Sequence, residues 1–360
     1  MLTHALLGLP VWWLGAALLL ALAIDRLWGE PPVRLHPVVW MGNYLAWAGE
    51  HLQRVARPWE PGGAEERPDW AAFAWGTVAW VAGAVLVLAV SWGAMVGLQA
   101  LAGAAEGGAG GGEVWRHAVS VLLLALLLKP LLAWAMLRTE VLAVEAALSG
   151  PNGSLAAGRE RLSWLVSRDV TQLSEAGVRE SAIESLAENL SDSVVAPLFW
   201  FVLLGLPAAA VYRLANTADA MWGYRGSYRG KTWEWAGKWA ARADDVLNWI
   251  PARLTAVALW AAGVWQARPA GCAGLHGLAQ EAAQTPSPNS GWPMAAMALA
   301  LDVSLRKPGV YTLHAAGQAP AAAATAQAVG LAGRALFVLV VALLVLGTLG
   351  LLWLGKGGMP

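Results

Sequence analysis

Residues 71–101 read AAFAWGTVAWVAGAVLVLAVSWGAMVGLQAL, an apolar run without a single charged residue. A helix that crosses a membrane needs about 20 consecutive, predominantly apolar residues. The run therefore predicts a transmembrane helix, and its length allows the helix to tilt or to kink at its glycines.

The rest of the composition agrees with a membrane protein. The chain is 58% hydrophobic and 13% charged, with a mean hydropathy of +0.50, whereas a soluble chain is typically about 25% charged. Three further runs are long enough to span a bilayer, namely Leu6–Ile24, Trp115–Leu137 and Ala335–Leu354. We predict an all-α polytopic membrane protein, one integral membrane domain over 1–360. About four transmembrane helices are joined by short membrane-embedded helices and a helical cytoplasmic part.

Other apolar segments are harder to place. Val194–Tyr212 is interrupted by Gly205 and Pro207, and Leu254–Gln266 has the length of a buried or interfacial helix. Lys129 follows an apolar run, and we interpret it as a lysine that extends to the membrane interface. Because no strand-like alternation is visible, the part outside the membrane is also predicted to be helical.

The distribution of positive charge predicts the topology. Lysine and arginine number five in 25–70, none in 102–114, five in 138–193 and seven in 213–253. Positive loops face the cytoplasm, so 25–70 is predicted as a cytoplasmic loop and 138–334 as a cytoplasmic and membrane-embedded catalytic region. Both termini then lie outside. A full crossing by 194–212 would separate the last two charged segments, so this run is predicted to dip in and return or to lie buried.

An acidic stripe is the most informative polar feature. Glu180, Glu184, Glu188 and Asp192 recur every four residues, which places them on one face of a helix. Like charges at this spacing destabilise an isolated helix by roughly 0.2–0.5 kcal/mol per pair. The stripe predicts a bound cation, which is a metal, an arginine cluster or a substrate ammonium group. The alternative is a solvated acidic face.

Polar residues of membrane proteins concentrate at functional sites, and four other clusters lie beside apolar segments. The sequence leaves the roles of two of their residues open. His36 is either a base, a ligand or a structural hydrogen-bonding group, and Arg253 is either a catalytic cation or an interfacial anchor. Arginines and carboxylates together suit phosphate and Mg²⁺. The loop 287–293 has amides that suit an anion. The clusters are Asp25 to Pro37, Arg168-Asp169, Arg213-Asn216-Asp219, and Tyr224 to Arg253.

Several function classes are excluded. The net charge is zero, so nothing favours a nucleic-acid partner, and the single Cys272 permits no internal disulfide. The segment GSYRGKT at 226–232 has three residues between its glycines, whereas a P-loop needs four and a preceding strand. A standard nucleotide motif is therefore not predicted.

Six ordered motifs resemble one known family. They are DRLWGEPPVRLHPVVWMG from Asp25, LVSRDV from Leu165, ESLAENLSDSVVAPLFW from Glu184, YRLANTADAMWGYR from Tyr212, ARADDVLNWIPARLTA from Ala241, and SPNSGWPMAAMA from Ser287. In this order, over most of 25–310, they resemble the CobD/CbiB family of cobalamin biosynthesis.

The resemblance implies adenosylcobinamide-phosphate synthase activity. Such an enzyme joins aminopropanol, as its phosphate, to the last free propionate carboxylate of adenosylcobyric acid, with ATP as the driving force. Activation of a carboxylate concentrates negative charge, so the chemistry also predicts Mg²⁺ as a cofactor. The resemblance also implies an inner-membrane protein that works beside membrane lipid and other corrinoid-assembly enzymes. A permease for a polar anion and a non-catalytic scaffold for corrinoid enzymes are the alternatives.

The motif positions supply the predicted site residues. The catalytic group is Glu184, Glu188, Asp192, Arg168, Asp169, Arg242 and Asp245. The substrate-binding group is Asp25, His36, Asn189, Asn216, Asp219, Tyr224, Arg225, Asn248, Arg253 and Asn289. The predicted Mg²⁺ ligands are Glu184, Glu188, Asp192 and Asp244.

Overall fold

The computed structural model describes residues 11–58, 68–103, 112–265 and 274–356, and it is almost entirely helical. Cys272 and most of the segments 58–68 and 106–112 lie outside the described residues. The α-helices are α1 (Val11–Trp28), α2 (Pro37–Leu52), α3 (Trp70–Gly103), α4 (Gly112–Leu128), α5 (Trp134–Ser149), α6 (Leu155–Leu162), α7 (Glu175–Leu190), α8 (Ala196–Trp222), α9 (Lys238–Leu247), α10 (Trp249–Trp265), α11 (Gly274–Ala282), α12 (Gly291–Leu301) and α13 (Ala322–Lys356).

Four helical stretches of the described chain are long and apolar enough to cross a membrane. They are Trp70–Gly103, Val114–Ser149, Glu175–Trp222 and Ala322–Val345. The predicted all-α, multi-pass architecture is confirmed. One member differs from the predicted set, because the four stretches include Glu175–Trp222 and do not include Leu6–Ile24. Residues 6–10 of that run lie outside the described residues, and the remainder belongs to α1.

The long helix through 194–212 is broken where the sequence shows Gly205 and Pro207. Gly205 has φ 78° and ψ −170°, a conformation outside the helix. That region of backbone space is open essentially only to glycine. The proline that follows has no N–H to continue the helix and begins a new helical segment instead.

Cysteine labelling tests on which side of the membrane the segment 213–253 lies. We expect single cysteines at Asn152 and Ser227, both exposed positions, to resist a membrane-impermeant thiol reagent in intact cells when Cys272 is replaced. The reason is that both flanking segments carry the positive charge typical of cytoplasmic loops. Permeabilised cells provide the control, because both cysteines then react. Labelling of only one in intact cells would show that 194–212 crosses completely.

The chain forms two compact units, each built from two stretches of sequence. The first unit comprises Met1–Leu132 and Pro197–Leu247, and the second comprises Ala133–Ala196 and Asn248–Pro360. In the first unit α1 packs on α4 and α3 packs on α4 and α9. In the second unit α10 packs on α12 and α13, and α7 packs on α5, α12 and α13.

Helix α7 is the centre of the second unit. All of its residues from Val178 to Ala187 are buried. Ser174 caps its first turn by accepting a hydrogen bond from the Gly177 N–H. The Arg179 side chain anchors the helix to α5 by donating to Glu145 at 2.9 and 3.0 Å. These contacts hold the acidic stripe in a fixed position within the unit.

Two short hairpins correct the prediction that the part outside the membrane is purely helical. Strands β1 (Ser227–Tyr228) and β2 (Lys231–Thr232) pair antiparallel, as do β3 (Leu305–Lys307) and β4 (Tyr311–Leu313). Arg229 and Gly230 both have positive φ, as a two-residue hairpin turn requires. Strands this short show too little alternation to be recognised in sequence. Because 226–232 forms a hairpin, it is not a P-loop.

Candidate functional site

The first two carboxylates of the acidic stripe are buried and paired with arginines. Glu180 and Glu184 are 3% and 2% exposed, so the stripe is not a solvated face. Arg306 donates to Glu180 at 2.8 Å, and Arg168 forms an ion pair with Glu184. Of the cations that the sequence leaves open, arginine is the one present at these two positions.

The Arg168–Glu184 pair retains unused hydrogen-bonding capacity. Arg168 Nη2 donates to Glu184 Oε2. Arg168 Nη1 is buried and has no hydrogen-bond partner among the described residues, and Glu184 Oε1 is buried with only the nearby Tyr311 hydroxyl to interact with it. Buried polar atoms are nearly always satisfied. The unused donor of Arg168, in an ion pair whose carboxylate also interacts with the Tyr311 hydroxyl, therefore points to a polar ligand at this pair.

Tyr311 is a residue of this site that the sequence analysis missed. Burial, and then the charge of the Glu184 carboxylate and its hydrogen bond with the phenol, raise the pKa of Tyr311, which also lies near Arg168 and Glu188. Its hydroxyl is 3.8 Å from the Met294 sulfur. Tyr311 stands at the start of β4, far from the acidic motif in sequence, and no spacing pattern connects the two.

The C-terminal end of the stripe lies in a widened turn. Residues Ser191–Val195 form a single π-helical turn after α7, a feature that is common at functional sites. The Asn248 side chain donates to Asp192 and accepts from the Ser191 hydroxyl at 3.2 Å. Asn189 donates to the Ser185 carbonyl at 2.9 Å. Asp192 and Asn248, predicted separately, are thus brought together.

Arg253 and the loop 287–293 also meet in the second unit. Arg253 lies between the Trp249 and Trp292 rings, 4.0 and 4.7 Å from their centroids, and it donates to Asn289 at 3.4 Å. The Ser287 hydroxyl accepts hydrogen bonds from the amides of residues 289 and 290. Those amides, predicted to suit an anion, therefore already have a partner within the loop.

The first unit contains a second polar cluster, on α8 and α9. Arg213 donates to Asn216 at 3.1 Å, and Asn216 donates to Asp244 at 3.4 Å. The carboxylates of Asp219 and Asp245 interact electrostatically. Burial raises the pKa of Asp245.

Three further predicted residues lie around this second cluster. Arg225 opposes the rise in the pKa of Asp245. Tyr224 stacks on Tyr228 with ring centroids 3.7 Å apart. Arg242 is exposed on α9 and makes no hydrogen bond or ion pair with any residue that the structure describes.

The N-terminal motif forms a buried ion network in the first unit, which corrects the interpretation of Lys129. Lys129 is 3% exposed, and its Nζ is 2.7 Å from Glu30 and 3.5 Å from Asp25. His36 Nε2 contacts the same Glu30 carboxylate at 3.2 Å. Two carboxylates neutralise the lysine within the protein, so it does not extend to the membrane interface.

His36 and Asp169, two of the predicted site residues, also make local hydrogen bonds. His36 caps α2 by accepting a hydrogen bond from the Val38 N–H through Nδ1. Asp169 is exposed, and the Thr171 N–H bound to its carboxylate lowers the pKa of that group. These contacts show how the two side chains are oriented.

The carboxylates provide a limited metal-binding capacity. No three His, Cys, Asp or Glu side chains converge as metal ligands within 11–58, 68–103, 112–265 and 274–356. Mg²⁺ is commonly held by one or two carboxylates together with phosphate oxygens and water. The buried Glu184 carboxylate suits that mode, whereas Asp244 belongs to the other unit. The Mg²⁺ assignment stays a prediction.

The fold and the buried polar clusters define a multi-pass α-helical membrane protein with ionisable groups held inside each unit. The family model for the CobD/Cbib protein matches residues 18–335. The chain is 37% identical to the probable cobalamin biosynthesis protein CobD of Methanothermobacter thermautotrophicus, over 83% of this chain and 86% of that protein.

Two other relatives carry a matching description. The chain is 40% identical to the cobalamin biosynthesis protein CobD of Chromobacterium violaceum over 79% of both chains. It is 38% identical to that of Brucella suis over 81% of both. No solved structure matches the chain. The chain belongs to the CobD/CbiB family, as its motifs indicated.

Proposed function

We propose that this protein is the amide-forming synthetase of late cobalamin biosynthesis. It would join the amine of aminopropanol, or of its phosphate, to the free propionate carboxylate of adenosylcobyric acid at the expense of ATP. The observation that carries the proposal is the Arg168–Glu184 ion pair, with its buried carboxylate, the unused Nη1 donor of Arg168 and the Tyr311 hydroxyl beside Glu184. Family membership supports the pathway, and the pair supports the chemistry.

Amide formation requires an activated acid. A carboxylate is a poor electrophile, so the terminal phosphoryl group of ATP is transferred to a carboxylate oxygen, and ADP leaves. The amine nitrogen then attacks the carbonyl carbon, the bond to the phosphate oxygen breaks, and phosphate leaves. Finally the nitrogen loses a proton. Adenylation, with AMP as the second leaving group, would follow the same order.

The polar atoms of the Arg168–Glu184 pair match the needs of that reaction. Arg168 Nη1 can donate to an oxygen of the substrate carboxylate or of the acyl phosphate, where negative charge accumulates. Glu184 Oε1 can accept a hydrogen bond from the amine and take up its proton. Burial strengthens both interactions, because the local dielectric constant is lower than that of water.

The other predicted residues would bind and orient the substrates. Asn189, Asn248 and Asn289 present amide groups in the second unit, and Asn216 does so in the first. Mg²⁺, where bound, would neutralise phosphate charge beside Glu184. We further propose that the protein lies in the inner membrane with these groups on the cytoplasmic side, where ATP is available.

An isotope experiment tests the proposal. Purified protein receives ATP, the amine substrate and a corrinoid whose free carboxylate carries oxygen-18, and the products are separated by mass spectrometry. We expect one labelled oxygen in phosphate, or in AMP if activation is by adenylation. Protein with Glu184→Gln is the control and should release little label. Full-rate amide formation without label in either leaving group would contradict activation of that carboxylate.

The same assay separates the alternatives. A permease or a scaffold would not form the amide at all, whatever its affinity for the corrinoid. Formation of the amide by wild-type protein alone therefore decides between an enzyme and both non-catalytic hypotheses.

A further inference from the structure

The second unit contains a cavity of about 610 Å³, lined by the β3–β4 hairpin, the first turns of α7 and the residues just before that helix. Its volume falls within the range of about 300–1,000 Å³ that small-molecule sites usually have. The side chains that matter for its chemistry are Gln172, Ser174, Glu180, Arg306, Lys307 and Tyr311. The hairpin residues of this lining lie outside the six sequence motifs.

The charges in the cavity favour an anionic ligand. Arg306 and Lys307 supply two cations, and Glu180 is the one acidic side chain of the lining. Glu180 holds Arg306 through Nε at 3.2 Å and Nη2 at 2.8 Å. This contact orients the guanidinium group while its side chain stays 52% exposed. The remaining face of Arg306 can still donate to a ligand.

Lys307 is the cation without a competing partner. Its ammonium group makes no ion pair or hydrogen bond with any residue in the described part of the chain, although the residue lines the cavity. Arg306 and Lys307 follow each other in β3 and both line the cavity. A lysine ammonium and an oriented arginine fork in one cavity suit the binding of phosphate.

The cavity adjoins the proposed reaction site. Tyr311 lines the cavity, and the same side chain lies close enough to the Glu184 carboxylate for that charge to raise the pKa of its phenol. A ligand held by Lys307 would therefore share Tyr311 with the Arg168–Glu184 pair.

We propose that this cavity binds the phosphate group of one of the two phosphorylated substrates, with Lys307 and Arg306 as its ligands. The proposal rests on the proposed function, which supplies two sources of the same chemistry. These sources are the polyphosphate of ATP and the phosphate monoester of the amine.

The test measures binding of each substrate separately. Detergent-solubilised full-length protein is titrated with ATP and, in a second series, with aminopropanol phosphate, in an isothermal calorimeter. For Lys307→Ala we expect the Kd of one of the two to rise by about tenfold or more, since a charge-assisted hydrogen bond contributes about 1.5–3 kcal/mol. Lys307→Arg should retain most of the affinity. The affected ligand identifies the occupant of the cavity.

Lys231→Ala is the matched control. Lys231 is also a strand lysine of a short hairpin, but it pairs with Glu50 in the other unit and lines no part of the cavity. The Lys231→Ala variant should bind both ligands with the affinity of the wild type. Melting temperatures of all variants establish that Lys307→Ala is folded. Unchanged affinity of folded Lys307→Ala for both ligands would overturn the proposal, as would failure of both to bind the wild type.

Kinetics separate failure of this inference from failure of the proposed function. If wild-type protein forms the amide and Lys307→Ala shows wild-type KM values for both phosphorylated substrates, the cavity assignment alone is wrong. If wild-type protein forms no amide, the proposed function is wrong. In that second case, weaker binding of a phosphorylated ligand to Lys307→Ala would still show that the cavity binds anions.

Discussion

Replacement of Glu184 by glutamine is expected to lower kcat for amide formation by on the order of 100-fold or more. Glutamine preserves the size of the side chain but cannot take up a proton, and it leaves the charge of Arg168 without its partner. Glu184 is 2% exposed, so water cannot compensate. The measurement is product formation under saturating substrates, normalised to folded protein.

Two further variants make this prediction specific. Glu140→Gln removes the carboxylate of a more exposed pair with Arg161, in the same unit, and should retain wild-type kcat. Arg168→Lys keeps the charge but loses the guanidinium fork, so its kcat should also fall while the melting temperature changes less. Normal turnover in well-folded Glu184→Gln would show that the pair is purely structural.

Replacement of Lys129 by methionine is expected to destabilise the protein by about 3–5 kcal/mol, because it leaves buried carboxylates without their counter-ion. Asp25 is completely buried and Lys129 lies 3.5 Å from it. The measurement is the free energy of unfolding in detergent, from the loss of helical circular dichroism with denaturant.

A compensating substitution tests the cause of the loss. Lys129→Met combined with Asp25→Asn should recover part of the lost stability, because the double variant no longer buries an unpaired charge at that position. Lys231→Met, at an exposed ion pair, should change stability little. If Lys129→Met were as stable as the wild type, the buried network would not contribute to folding.

The sequence alone was sufficient for the class of protein and for its family. Apolar runs long enough to span a bilayer are a property of composition and length, so they can be recognised without knowledge of any tertiary contact. The acidic stripe was also visible, since helical periodicity places Glu180 and Glu184 on one face. Even the break at Gly205 was indicated, because glycine followed closely by proline is a local signal.

The tertiary structure decided which charges meet. Arg168 and Glu184 are sixteen residues apart, Lys129 and Glu30 are ninety-nine apart, and no local pattern connects either pair. Tyr311 reaches the same carboxylate from a hairpin too short to be recognised in the sequence. In a buried site the partner of a charge is set by which helices pack together, and that packing depends on the whole chain. The sequence therefore determined which residues are available for chemistry, and only the fold determined how they combine.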